Sequence, residues 1–202
     1  MKSQGVLLGV SGVLFGVLLG WILGSQQPAG PAALPPQPPA SAAASANPAP
    51  PPLDLQRAAD LERQANARPA DLAVRAELGD LYLEAQRFDL AIPWYEAAFK
   101  LDRRNVQVST DLALSLFYNG DVDRALKQID HSLSVNPRHT KALLSQGYMR
   151  AFGKQDLEGA AKSWEEVVAI APVTAEGKQA QEYLDGLRSA HPRLGGKAGK
   201  QR

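Results

Sequence analysis

The chain has no cysteine. Disulfides, thiol nucleophiles, cysteine-ligated zinc and a lipidated-cysteine anchor are therefore excluded. It also has no Gly-rich phosphate loop, no serine elbow and no zincin motif. Histidine is scarce: His131, His139 and His191 are the full set. None sits in a carboxylate pattern suited to a metal, so all three read as solvated surface residues. Acid pairs such as Glu165-Glu166 are adjacent on a helix and point apart, as a solvated face does. No enzyme is expected, and no cofactor or metal.

Charge is missing in two places. No charged residue lies between Lys2 and Asp54, and no acid follows Asp185. The end "RSAHPRLGGKAGKQR" carries Arg188, Arg193, Lys197, Lys200 and Arg202. It lacks aromatics and reads as a solvated basic tail over 191–202. Residues 53–187 hold 16 basic and 21 acidic residues, a net charge of −5. A mildly acidic domain is a poor partner for a phosphate backbone, so no nucleic acid is expected.

The uncharged start contains an apolar run from Gly5 to Gly24. Twenty helical residues span about 30 Å, the thickness of a bilayer's hydrocarbon core. A cleaved signal peptide is the rival reading. The run is long for that, and "ILGSQQ" is a weak cleavage site. An uncleaved anchor over 1–24 is expected. Lys2 favours a cytoplasmic N-terminus, with everything after the anchor translocated to a periplasmic or other extracytoplasmic side. Gly12, Gly16, Gly20 and Gly24 recur every fourth residue. They would form a groove without side chains along one side of the helix, suited to a second membrane helix. Homo-oligomers through this helix are one expectation; frequent glycine in membrane helices is the other.

Residues 25–52 read "SQQPAGPAALPPQPPASAAASANPAPPP", with ten prolines in 28 residues. Such a segment cannot bury a core and leans toward extended polyproline II, a disordered linker. Its reach is at most about 85 Å. It reads as a spacer, with a PxxP-type ligand as the lesser alternative.

From residue 53 the pattern is helical and it repeats. Rows beginning at Leu72, Val106 and Thr140 align Gly79, Ala113 and Gly147 in one column. Ala91, Ala125 and Ala160 align in another, then Tyr95, Ile129 and Trp164, and at the row ends Arg103, Pro137 and Pro172. Spacing is 34 throughout the first step and becomes 35 midway through the second. The third row therefore has one inserted residue near "FGKQD". A period near 34 marks a helix–turn–helix solenoid. Small residues allow helices to cross closely, and Tyr82, Tyr95 and Trp164 fill the space beside them. Asn119-Gly120 and Gly153-Lys154 are expected to end helices in the left-handed region. Pro93 is expected near the end of a first helical turn, where it does little harm.

These columns resemble the tetratricopeptide repeat (TPR) family. "AELGDLYLEAQRFDLAIPWYEAAFKLD" carries Leu78-Gly79-x-x-Tyr82, then Ala91, Tyr95 and Ala98, as that family does. The resemblance covers residues 72–172. It implies an all-α, right-handed helical solenoid of three repeats, 72–105, 106–139 and 140–173. A flanking helix is expected over 53–71 and a capping helix over 174–190, with Tyr183, Leu184 and Leu187 inward. Such caps cover the apolar faces of terminal repeats. Eight soluble helices and no strands are expected. The third row departs from the family at Gln146 and Arg150, where apolar residues are usual. A looser resemblance links the anchor, the repeats and the closing helix to periplasmic TPR domains of bacterial cytochrome c maturation factors, which present unfolded apocytochrome for haem ligation.

The resemblance also implies a binding groove lined by the first helix of each repeat. By residue match the lining is Ala73, Ala76, Asp80, Leu83 and Glu84. Then come Gln107, Thr110, Leu114, Phe117 and Tyr118, and finally Lys141, Leu144, Tyr148, Ala151 and Phe152. The protein-binding residues expected are Leu114, Phe117, Tyr118, Lys141, Leu144, Tyr148 and Phe152. The family's clamp for acidic C-termini needs Lys, Asn and Arg where this chain has Ala76, Asp80, Asp111, Lys141 and Ser145. Only Lys141 survives, so an apolar peptide or amphipathic helix is the expected partner. Tyr148, Phe152 and Tyr118 follow a helical spacing that would also suit core, and both placements stay open. The function expected is a membrane-tethered TPR adaptor or chaperone-like factor. The alternative is a self-associating scaffold of a membrane complex with no peptide client.

Overall fold

The computed structural model describes residues 51–192. The expected membrane anchor with its glycine ladder, residues 25–50 of the linker and residues 193–202 of the tail lie outside the described residues. Among the described residues, no helix is long and apolar enough to cross a membrane.

Eight α-helices run in order: α1 (Leu55–Ala67), α2 (Leu72–Glu84), α3 (Phe88–Leu101), α4 (Val106–Tyr118), α5 (Val122–Val135), α6 (Thr140–Tyr148), α7 (Leu157–Ile170) and α8 (Ala175–Ala190). No strand occurs among the described residues. Most starts are set by a side-chain oxygen that accepts an otherwise unpaired backbone N–H. Asp54, Asp71, Asn105, Asp121, Asp156 and Thr174 each accept from the residue three positions on. His139 does the same with a ring nitrogen, its Nδ1 lying 3.3 Å from the Ala142 N–H. This corrects the reading of His139 as merely solvated. His131 is corrected too: it is half-buried, stands edge-on to Phe99, and its Nε2 lies 2.8 Å from the Arg103 carbonyl.

Each pair packs small against large. A side chain at Gly79 would begin 2.7 Å from the Tyr95 ring, and one at Gly147 2.3 Å from the Trp164 indole. The middle pair has Ala113 with the smaller Ile129, all fully or nearly fully buried. In the first and third pairs the aligned columns are thus volume-matched contacts between the two helices, and the middle pair buries both corresponding residues in the same core.

The inner turn of each pair shows where the extra residue went. Gln86, Gly120 and Gln155 all have positive φ, at 56°, 91° and 56°. They occupy one column, shifted by the insertion in the third row. The expected left-handed pair Gly153-Lys154 is corrected: Gln155 takes that conformation. Gly153 instead ends a π-helical turn, Met149–Gly153. In the first two pairs the turn closes Arg87 N–H to Tyr82 O and Asp121 N–H to Leu116 O, five residues apart. In the third, Asp156 N–H reaches Arg150 O, six apart. One residue inserted into a helix is absorbed by widening a single turn. Pro93 is also corrected. It is the sixth residue of α3, in the second turn, and its missing donor leaves the Asp89 carbonyl without its helical partner. Both residues are exposed, which leaves that carbonyl to water.

The third row's unusual polar residues stay in place, Gln146 buried and Arg150 half-buried. Gln146 donates to Asp130 (3.0 Å) and accepts from Ser163 (2.8 Å). Arg150 donates to the Gly159 carbonyl at 3.3 Å. A buried polar group is tolerated when its partners are present. Among the described residues, two apolar clusters, sharing Leu133 at their margin, draw on residues 53–187. The amphipathic helices α1 and α8 close the two ends. Residues 53–192 thus hold an apolar core closed at both ends, the feature expected of a self-contained folding unit.

Candidate functional site

The even-numbered helices touch in succession, α2 with α4, α4 with α6 and α6 with α8. They form an inner row, and its exposed side chains fall into two chemically different halves.

The polar half lies between α2 and α4. A cavity of about 360 Å³ is lined by Asp80, Glu84, Gln107, Asp111, Lys141 and the Tyr95 ring, among others. Lys141 pairs with Asp111 at 2.6 Å, and Gln107 donates to the other oxygen of Asp111 at 2.7 Å. The Asp111 side chain is only 5% exposed, so its charge depends on these two donors. The Tyr95 hydroxyl donates to Asp80 at 2.5 Å. Loss of hydration pushes the Asp80 carboxyl above the usual carboxylate range. The bond from Tyr95 and the charge of Lys141 hold it down, while Asp111 raises it further. This half carries three carboxylates and one cation, and that cation is already engaged.

The aromatic half crosses the remaining repeats. Phe88 stacks on Tyr118 at 5.0 Å between centroids. Tyr118 and Phe117 both meet Tyr148, at 6.5 and 5.6 Å. Tyr148 meets Phe152 at 4.5 Å and Tyr183 at 6.1 Å, and Tyr183 meets Trp164 at 5.0 Å. Seven rings from α3, α4, α6, the π-turn, α7 and α8 make one continuous ribbon. Tyr118 is 49% and Phe152 64% exposed. A second cavity of about 320 Å³ opens beside Phe152, Trp164 and Tyr183. Partial burial pushes the Tyr118 and Tyr148 hydroxyls up from the usual tyrosine range, so both stay protonated at neutral pH.

The expected residues divide accordingly. Phe117, Tyr118, Tyr148 and Phe152 come together on the ribbon, and neither Tyr148 nor Phe152 is core. Leu114 and Leu144 are half-buried against the two apolar clusters, supporting the row from beneath. Lys141 lies apart, on the polar half. Thr110 is corrected from groove to core: it is fully buried and its hydroxyl donates to the Val106 carbonyl at 2.7 Å. Ala151 is buried as well. Tyr183, expected inward, is half-exposed on the ribbon, while its neighbour Leu184 is buried. Phe88 and Trp164 join the ribbon from second helices, where the first-helix rule does not look. Their only sequence signal was being aromatic next to a turn or a small-residue column.

Sequence profiles of the tetratricopeptide repeat match residues 72–105 and 110–173. No curated protein matches the chain. Among solved structures, the chain is similar to the first TPR of Spaghetti (RPAP3) bound to HSP90 peptide SRMEEVD. That match has 28% identity and a TM-score of 0.54, over 59% of this chain and 91% of that one. The first TPR domain of the human RPAP3 protein is 26% identical, with a TM-score of 0.56, over 64% and 98%. YrrB, a TPR protein with an unusual peptide-binding site, shares the fold at 21% identity and a TM-score of 0.56, over 62% and 64%.

Proposed function

We propose, from the premise that this chain is a tetratricopeptide repeat protein, that it is a membrane-tethered adaptor whose inner row receives an apolar segment of a partner protein. The observation that carries this reading is the aromatic ribbon with Tyr118 and Phe152 exposed. Rings bring large apolar area at low entropic cost and concentrate at interface centres. A similar TPR structure holds a peptide, SRMEEVD, which is acidic. The polar half argues against such a ligand here, because Asp80, Glu84 and Asp111 line it and Lys141 is already paired. The segment that fits this chain is apolar.

The tether rests on the uncharged run Gly5–Gly24, and Lys2 favours repeats on the translocated side. The narrowest form of the proposal is presentation of unfolded apocytochrome in cytochrome c maturation. The order of anchor, linker, repeats and closing helix supports it. The ladder Gly12, Gly16, Gly20 and Gly24 favours a second reading, a self-associating scaffold without a client. Gly16→Leu with Gly20→Leu should weaken association in a membrane-reporter assay under that reading; unchanged association removes it.

The test of the adaptor is a photo-crosslinkable residue in place of Tyr118, in full-length protein in native membranes. The expected result is a discrete crosslinked partner that disappears in a Phe152→Ala background. Crosslinks obtained only from Lys127, exposed on α5 outside the inner row, would move the binding site off the ribbon and sink the reading.

A further inference from the structure

The ribbon offers hydrogen-bond donors as well as ring faces. The Tyr118 and Tyr148 hydroxyls have no hydrogen-bond partner among the described residues. The Tyr183 hydroxyl accepts from Gln179 at 3.0 Å, which leaves its own proton to donate. An α-helical partner has little use for such donors, since its carbonyls are bonded internally. A polyproline II segment has no internal hydrogen bonds, and its carbonyls are open along its length. Its proline rings pack on aromatic faces, and its conformation is set before binding, so little entropy is lost. Tyrosine hydroxyls between ring faces suit both properties.

A segment of that kind is present in this chain. Residues 28–52 contain ten prolines and no charged residue. The segment ends at Pro51-Pro52, directly before Leu53, which packs on the apolar core two residues ahead of α1. The ribbon begins at Phe88 and runs to α8, away from that end. A segment reaching the ribbon of its own chain would have to turn back between Pro39 and Leu53, a stretch of 13 residues whose last five include four prolines. Those prolines stiffen the junction with the repeats and narrow the ways back. A neighbouring copy supplies the same segment without that turn.

Resting on the adaptor reading of this groove, we propose that the aromatic ribbon docks a proline-rich polyproline II segment, namely residues 28–52 of a second copy of the chain. The two parts then link copies head to tail, each giving a segment and receiving one.

The test is titration of a synthetic peptide of residues 28–52 into the self-contained fragment 53–192, followed by tryptophan fluorescence. Saturable binding is expected. Tyr118→Ala with Phe152→Ala should weaken it about tenfold or more while circular dichroism stays helical. A peptide with Pro35, Pro36, Pro38 and Pro39 replaced by alanine should bind about tenfold more weakly as well. In sedimentation, fragment 25–192, which lacks the glycine ladder, should associate with rising concentration, and the double variant should not. No saturable binding overturns the proposal. Equal binding of the alanine peptide overturns the polyproline assignment. A fragment 25–192 that binds no added peptide and stays monomeric overturns the second copy in favour of the chain's own segment. The crosslink from Tyr118 to a different protein judges the adaptor reading separately, so the two failures are told apart.

Discussion

The indole of Trp164 lies over the α-carbon of Gly147, so close that a methyl group on that carbon would sit 2.3 Å from Nε1. The same indole donates to the Leu144 carbonyl at 3.2 Å, which holds it in place against α6. Gly147→Ala should therefore destabilise the fold by roughly 1–3 kcal/mol, as overpacking does. The middle pair shows the remedy, since Ala113 is matched there with Ile129. Trp164→Ile should cost less in the Gly147→Ala background than in the original. Urea denaturation of the two single variants and the double gives the coupling; strictly additive losses would refute the matched-volume account.

Gln86 and Gln155 hold φ at 56°, where a β-carbon crowds the backbone. Gly120 occupies the equivalent turn of the second pair without that crowding. Gln86→Gly and Gln155→Gly should each raise stability by about 0.5–1 kcal/mol, and Gly120→Ala should lower it. Thermal melts of the fragment 53–192 decide this. A loss on Gln155→Gly would mean that its side chain contributes more than its backbone strain removes.

Lys141 is better read as a structural partner than as a groove cation. Removing it leaves Asp111 buried with only Gln107 as donor. Lys141→Ala should cost about 1–3 kcal/mol, reduced from the fully buried case because Lys141 is itself partly exposed. Lys141→Met combined with Asp111→Asn should recover much of that loss, since no unpaired charge then remains. A single variant with unchanged denaturation midpoint but weaker partner binding would return Lys141 to the groove.

His139 links stability to pH. Loss of hydration, with the Lys141 charge next, lowers its pKa below the ordinary histidine value of 6.5, while Asp111 and Glu176 pull the other way. Between that lowered pKa and 6.5 the unfolded chain binds more protons than the folded one. Stability then rises with pH across the window, is full above about 6.5, and is lost as pH falls through it. Protonation also removes the Nδ1 lone pair that accepts from Ala142. His139→Asn, which keeps a capping acceptor, should flatten the dependence between pH 5 and 7. Melts at a series of pH values check it, and an unchanged slope in the variant assigns the dependence to another group.

The repeat was legible because a solenoid writes each contact several times. Gly79, Ala113 and Gly147 recur with Tyr95, Ile129 and Trp164, so chance alignment is easily told from a column. The helix starts rest on an equally local contact that the structure shows, an Asp, Asn or Thr oxygen meeting an N–H three residues on. The inserted residue could be counted from the spacing. Its form could not, because a π-turn and a longer loop have the same length in sequence. Only the closure from Asp156 to Arg150 decides between them.

The site was legible in part. First-helix aromatics Phe117, Tyr118 and Tyr148 could be named because the resemblance to the TPR family implies a groove along the first helices. Whether Tyr148 and Phe152 were core or surface could not, since a helical spacing specifies a shared face and not what covers it. The structure settles it, leaving Phe152 exposed and Tyr148 half-buried. The charge balance of the inner row was likewise open, because Lys141 and Asp111 are 30 residues apart and meet only when α4 and α6 pack.

The sequence by itself determined the all-helical repeat, its period, its volume-matched columns and the capped starts of its helices, since all of these act within about one repeat length. Tertiary structure alone decided which rings join. Phe88, Tyr118, Tyr148, Tyr183 and Trp164 come from five different helices, and nothing local relates them. The stacking of one repeat on the next brings them into a single ribbon, and the same stacking leaves Tyr118 and Phe152 uncovered.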